Sequence, residues 1–574
     1  MADVSITKAD LQVSISNGSF AAEIPDLEFG TLKNIGSLLA SLHNEGSQDI
    51  IMYFEKLDWD KLPDRNRTRM AHVLEGFSAS VKDTSESITP FFHVMHNNVS
   101  NHNTYHVDRG FESWVSANPS RISEVVTLIE DGNHDSPFVG TILRIWRAAA
   151  PIDALNATIL FSQDKRPAIK RQAVFALGDF KYGDEREAAL AERRLVELLS
   201  SDNIDDQRVA IAATGRMLEK QVDKSVRLVT ELEKAANQPS AEVRHELIAG
   251  AAYHRDAYPP LLWDKVLALM KTVQSNSGGT LDLIDHALYN MDIEKDRDTV
   301  FETLTAILGQ ETGAPTLKVF DSLVYKIEAA ADGLAGWYAV SWLLDGQYKI
   351  CNQLSSLFPP LDISIHDFDL DAFKLSAPDI FYLTRKIFAY LMFSHGPAVS
   401  LLCACLMSLD LKKRKVLETE IAAFWLRNYP SDLELFDAAY NTYPRDGLKP
   451  SIERMRRHVN SYAKPLHALP NNPALRPSTM ERRTQAEISH ERNKEIGRAA
   501  EQNSLLSSLF SKSTLLYGRS SIAYIYSGGS DEPIRQVIPM QSFQTSAALP
   551  HMDILYPTRL QYMIYRFRLE GRPE

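Results

Sequence analysis

Cysteine is scarce in this chain: Cys351, Cys403 and Cys405 are the only three among 574 residues. Three thiols build no disulfide framework for a chain this long, so packed cores must stabilise it, and a reducing cytoplasm is the expected setting. Met1-Ala2-Asp3-Val4 does not lead from a basic stretch into an apolar one, so no secretion signal is expected. Positive charge is also short, with 62 Lys and Arg facing 74 Asp and Glu for a formal net charge of -12, which argues against a nucleic-acid coat. The sequence contains no P-loop, no G-x-G-x-x-G after a strand, no H-E-x-x-H, no G-x-S-x-G and no kinase signature set. Their absence lowers the expectation of an enzyme without excluding one whose groups converge from distant positions.

One segment, 387–409, has no Asp, Glu, Lys or Arg and is long enough to span a bilayer. His395-Gly396-Pro397 interrupts it, and Gly-Pro breaks a helix where lipid cannot satisfy the freed backbone groups. Two buried helices are expected there, with Cys403 and Cys405 as inert core thiols. Hydrophobic residues at 44% with 24% charged are ordinary for a folded protein, so disorder is not the default. Charge is unevenly spread: residues 451–574 hold 17 Lys and Arg against 11 Asp and Glu, leaving 45 against 63 in the first 450.

What the chain does have is a repeat. Ile169-Lys170-Arg171-Gln172-Ala173-Val174-Phe175-Ala176-Leu177-Gly178 is echoed by Asp206-Gln207-Arg208-Val209-Ala210-Ile211-Ala212-Ala213-Thr214-Gly215, and by Glu242-Val243-Arg244-His245-Glu246-Leu247-Ile248-Ala249-Gly250-Ala251. The arginines are 37 and 36 residues apart. Small residues follow each at fixed helical spacing (Ala176, Ala213, Ala249; Gly178, Gly215, Ala251), where one helix must lie close against another. Between these stretches run leucine-type patterns such as Leu195, Leu198, Leu199 and Val226, Val229, Leu232, joined by Asp202-Asn203 or Gln238-Pro239-Ser240 turns. A period near 36 with two amphipathic helices marks an α-solenoid, and seven helical pairs are expected between 119 and 359.

Residues 150–330 resemble HEAT repeats. That family has an Asp-x-x-Val-Arg-like run opening the second helix, then an alanine two residues on. Asp206-Gln207-Arg208-Val209-Ala210 and Ala241-Glu242-Val243-Arg244 match it, and Ala168-Ile169-Lys170-Arg171 matches in part. Thr280-Leu281-Asp282-Leu283 and Pro315-Thr316-Leu317-Lys318 lack the arginine. The resemblance implies an architecture and no common catalysis; most such arrays are scaffolds or binding surfaces. It also implies that the arginine pairs with an acidic residue of a neighbouring repeat, for which Asp164, Asp202, Asp205 and Asp206 are available. The functional alternative is a column of phosphate ligands, with Lys165, Arg166, Lys170, Arg171, Arg208 and Arg244 as candidate binding residues.

Outside the array the texture changes. Residues 1–30 alternate in strand fashion, with Leu11, Val13 and Ile15 on one side, which suggests a small α+β segment or helical cap over 1–116. Within it, His93, His96, His102 and His106 are a candidate metal set, imidazole being a borderline zinc ligand; the alternative, which we favour, is a polar loop rich in His and Asn. Asp367, Asp369 and Asp371 share one side of an extended chain, as a cation ligand set or as caps and solvated turns. Residues 360–458 read as an apolar helical region and 459–479 as a proline-rich linker. A helix is expected to start after Ser478, with Glu481 completing a capping box, and to run to about 509. The tail alternates over 520–527, 535–540 and 560–569, a small β unit with Ser527-Gly528-Gly529-Ser530-Asp531 as its turn. There Arg559, Arg566 and Arg568 lie among Tyr562, Tyr565 and Phe567, a mixture suited to a protein or nucleic-acid contact.

The expected fold is therefore mainly α: a HEAT-like α-solenoid of antiparallel helix pairs over 117–359, a small α+β N-terminal segment, and a helix plus short β-containing tail over 480–574. The expected function is a non-catalytic scaffold or adaptor for protein partners in the cytoplasm, with no cofactor and no membrane span. Nucleic-acid binding is the first alternative and a His-based metal-dependent hydrolase the second.

Overall fold

The structure is a computed structural model and describes residues 7–573 apart from 25–26, 100–103, 133–135, 222, 331–332, 359–361, 471–476, 503–519, 526–533 and 540–549. It divides into two compact units, Met1–Ala329 and Ala330–Glu574. The division falls ahead of the expected boundary at 359.

In the first unit, the helix pairs of the 36-residue period stack side by side. The second helices of successive pairs, Val139–Ala149, Pro167–Asp179, Ile204–Lys220, Ala241–Tyr253, Gly278–Tyr289 and Asp321–Ala329, pack each on the next as one row. The first helices from Pro151–Phe161 to Arg297–Leu308 form the other row. This two-row stack is a HEAT-like α-solenoid. Local chemistry sets the helix starts as the turn residues implied. The Asp184 carboxylate accepts from the amides of Arg186 and Glu187 at 2.9 and 2.8 Å, and the Asn203 side chain from Asp205 and Asp206 at 2.9 and 3.3 Å. Each such cap is worth about 1 kcal/mol. The Val226, Val229, Leu232 pattern needs a correction: Val226 is exposed at the first helical position, and the buried pair is Leu228 and Leu232, one turn apart.

Of the glycines expected at close approaches, Gly178 does that work, whereas Gly215 faces the His254 side chain. A Cβ on Gly178 would sit 2.3 Å from the Ala213 carbonyl oxygen, backbone against backbone. The same device recurs upstream, where a Cβ on Gly76 would meet the Lys33 carbonyl oxygen at 2.1 Å and one on Gly36 that of Val73 at 2.1 Å. Helix Phe29–Asn44 thus lies directly on Asp64–Ser80, which packs on Thr104–Ser116 and so leads into the second-helix row.

The α+β expectation for the N-terminus is overturned here. Lys8–Ser16 is helical, begun by a Thr7/Asp10 capping box, with Leu11 and Ile15 buried one turn apart and Val13 exposed. The alternation was the shadow of an i, i+4 pair, and the stack begins well before residue 119.

The second unit is built from helices Leu334–Asp345, Ala377–Tyr390, His395–Met407, Leu411–Asn428, Leu433–Thr442 and Leu448–Ala468. The charge-free segment is two buried helices broken at 391–394, just before Gly-Pro; Pro397 sits in the first turn of the second helix, where its missing N–H costs nothing. Gly396 is needed there because a Cβ would lie 2.3 Å from the Ser364 carbonyl oxygen. Among the described residues no helix is long and apolar enough to cross a membrane. Cys403 and Cys405 are buried, and burial pushes the Cys405 thiol up to about 12. Asp367 pairs with Arg445, and the Asp369 carboxylate accepts the Asp371 amide at 2.8 Å, so these aspartates serve turns and an ion pair.

Two tail expectations change. Residues 459–468, read as the start of a linker, continue a helix that carries Pro465 inside it. Residues 560–569, read as a strand, belong to the helix Pro557–Leu569. Its alternation fails because the buried side is decided by docking: Leu560 is buried, and Phe567 lies 6.0 Å from Phe388 and 5.2 Å from Phe424, ring centre to ring centre. Ser520–Ile525 and Ile534–Pro539 pair antiparallel, and the intervening turn lies outside the described residues. The Ser478–Glu481 capping box is present, with reciprocal bonds of 2.6 and 3.1 Å.

Candidate functional site

A groove of about 730 Å³ opens on the second-helix row, where Pro167–Asp179 and Ile204–Lys220 lie side by side and Ala241–Tyr253 adds Glu246. The repeat itself makes it. Gly178 lets its helix close on the Ala213 backbone, and the furrow runs beside that line of contact. Its floor is apolar, with Val174 buried and Phe175, Val209 and Ala212 half-buried. Its walls carry Lys170, Arg171 and Arg208 against Asp205, Asp206 and Glu246.

Those charges are paired between repeats. The Lys170 ammonium lies 2.5 and 2.6 Å from the two Asp206 oxygens, and the Arg208 guanidinium 3.1 Å from Glu246 and 3.7 Å from Asp205. Arg216 joins the ladder at 2.9 Å from Asp179 while lying over the Phe175 ring at 4.9 Å. Of the three repeat arginines, Arg208 alone makes an inter-repeat ion pair, with Glu246; in the first repeat Lys170 makes the bridge instead, and Arg171 is exposed in the groove wall. Arg244 instead donates to the Thr272 hydroxyl at 3.2 Å. Arg166 is structural, donating to Asp164 at 2.7 Å and to the Ile129 carbonyl at 2.9 Å; it holds the Asp164 carboxyl below its usual range despite burial. Lys165 is exposed and outside the groove lining.

The tail arginines separate in the same way. Arg568 faces inward, donating to the Ala389 carbonyl at 3.1 Å and lying 5.1 Å over the Tyr390 ring. Arg559 and Arg566 are exposed on the opposite side, with Tyr562 and Tyr565.

The four-histidine set is not brought together as expected. His93 and His96 lie on helix Ser85–Asn98 and both contact the Phe138 ring, at 5.7 and 5.6 Å. His102 lies outside the described residues. His106 engages Glu75 at 2.9 Å, beside His72. Sequence reasoning missed Phe175 and Val209 as groove residues, although each stands beside a repeat position that is buried, which puts it on the helix edge.

No protein-family model matches the chain, and no curated protein matches it. Among solved structures it is similar to Kap121p bound to Nup53p, at 14% identity and a TM-score of 0.32, over 80% of this chain and 61% of that one. A similar match is the karyopherin Kap121p bound to the extreme C-terminus of the protein phosphatase Cdc14p, at 13% identity and a TM-score of 0.34, over 82% and 64%. The Kap95:Nup1 complex matches at 12% identity and a TM-score of 0.29, over 82% and 70%. The chain spans about three fifths of the Kap121p chains' length, and scores this low carry none of those proteins' properties to it.

Proposed function

We propose that this chain is a non-catalytic α-solenoid scaffold or adaptor that binds protein partners within a multi-subunit assembly, in a reducing cytoplasm. The observation that carries the reading is the groove on the second-helix row, apolar in its floor and balanced in charge at its walls. Such a surface suits an extended protein segment that alternates apolar and charged side chains. A polyanion gains little there, because Lys170 and Arg208 already face Asp206 and Glu246, and the remaining wall charges, Arg171 and Asp205, are of opposite sign. A second contact surface is the outer side of the C-terminal helix, where Tyr562 and Tyr565 are 60% and 61% exposed between Arg559 and Arg566; Tyr and Arg are the residues that dominate protein interfaces.

The test is a photo-crosslinking amino acid placed at Phe175 in the full chain in its native host. The expected result is a discrete crosslinked protein, lost when Val209→Asp is added to the groove floor. Crosslinking to nucleic acid alone, or a protein partner indifferent to V209D, overturns the groove as the binding surface.

A further inference from the structure

Helix Asp64–Ser80 carries His72 and Glu75 three residues apart, hence on one face, and the neighbouring Thr104–Ser116 helix brings His106 to that face. One donor atom from each of the three lies within 4.8 Å of the other two. Glu75 is buried, and the two histidines are half-buried. His106 Nδ1 is 2.9 Å from Glu75 Oε2, while Lys33 Nζ holds the other carboxylate oxygen at 2.6 Å. His72 Nδ1 is shut off from solvent and has no hydrogen-bond partner, which is costly for a buried ring nitrogen unless something completes it. The ring is nonetheless fixed, stacked on Phe29 at 4.2 Å and 20° and set 4.2 Å from the His106 ring.

We propose that His72, Glu75 and His106 form a binding site for one divalent transition metal of the zinc class, with water completing the shell. Two imidazoles and one carboxylate are a borderline donor set that suits zinc and its neighbours, whereas calcium and magnesium take all-oxygen shells. Metal–ligand bonds of about 2.0–2.2 Å place tetrahedral donors roughly 3.4 Å apart, so modest side-chain rotation closes the 4.8 Å spread. The metal replaces the His106–Glu75 hydrogen bond, and Lys33, remaining on the other oxygen, orients the carboxylate as an outer partner does in such centres. Arg109, 3.9 Å from Glu75, opposes a cation, but its side chain is 51% exposed and screened by solvent.

The full chain, stripped with chelator, is titrated with Zn²⁺ by calorimetry and with Co²⁺ by visible absorption. The expected result is one equivalent bound, with the d–d bands of a four-coordinate Co²⁺ site. His72→Gln and His106→Gln each weaken binding at least tenfold, and the His93→Gln/His96→Gln double variant leaves it unchanged. Absence of stoichiometric binding, binding indifferent to H72Q, or binding lost with the His93/His96 double variant overturns the proposal. Should H72Q fail to fold, electron paramagnetic resonance of Cu²⁺ on the unaltered chain decides: hyperfine structure from two imidazole nitrogens is expected, and a spectrum without it refutes the site.

Discussion

The second-helix row of the first unit and the C-terminal helix of the second both present arginine beside aromatic rings, yet they hold their charges differently. In the row, partners are one repeat apart: Lys170 with Asp206, Arg208 with Glu246, Arg216 with Asp179. In the C-terminal helix and the residues after it, they come from nearly two hundred residues away. Arg385 meets Glu570 at 2.5 Å, Asp379 meets Arg572 at 2.8 Å, and the buried Lys386 ammonium donates to the Arg568 carbonyl at 2.8 Å. A repeat propagates its own partners, so each bridge is one of a set and individually small. The docked helix satisfies a buried cation with carbonyl oxygen at the negative end of its dipole, so its removal strands a charge.

Removing residues 550–574 breaks the comparison most severely. It uncovers Phe388 and Phe424 and leaves Lys386 without its acceptor. The expected loss is more than ~3 kcal/mol, from aromatic burial and a charged hydrogen bond together. Chemical denaturation checks it, and Lys386→Met is expected to recover part of the loss, since a buried unpaired charge is then removed. A smaller effect separates two glycines at one repeat position. Gly178→Val is expected to cost about 1–3 kcal/mol or more by driving a side chain into the Ala213 backbone, whereas Gly215→Val meets the movable His254 ring 3.3 Å away and costs less. Equal melting temperatures for the two variants would show that the row does not close on backbone contact.

The smallest effect is in pH dependence. The hydrogen bond from Arg572, then that from Ser376, lowers the Asp379 carboxyl to about 2. A depressed carboxylate stabilises the fold above its unfolded pKa of about 3.9, and that contribution is lost as pH falls from there through about 2. Arg572→Ala should therefore cost under ~1 kcal/mol at neutral pH, Arg572 being half-exposed, and flatten the stability profile between those values. Melts taken across that acid range decide it; a slope identical to that of the unaltered chain would mean that Arg572 does not set this pKa.

Much of the first unit was legible because its signals are local and repeated. The period, the Asn203 and Ser240 caps and the Gly178 approach all follow from short-range rules. Two of the misreadings share a cause: the segments 8–16 and 557–569 are short, and alternation over so short a span fits either a strand or one face of a helix. For the candidate site, Lys170, Arg171 and Arg208 were visible in the repeat, but Phe175 and Val209 became groove residues only once two helices lay side by side.

By itself the sequence determined the helical period, the turn chemistry, the Gly178 close approach and the burial of Cys403 and Cys405, since each depends on residues within about one repeat. Only the tertiary structure decided that Lys170 rather than Arg171 bridges its repeat, that His106 joins His72 and Glu75 rather than His93 and His96, and that the last helix completes the shell of Lys386. Those outcomes depend on which faces meet across packed helices, and no spacing along the chain encodes that.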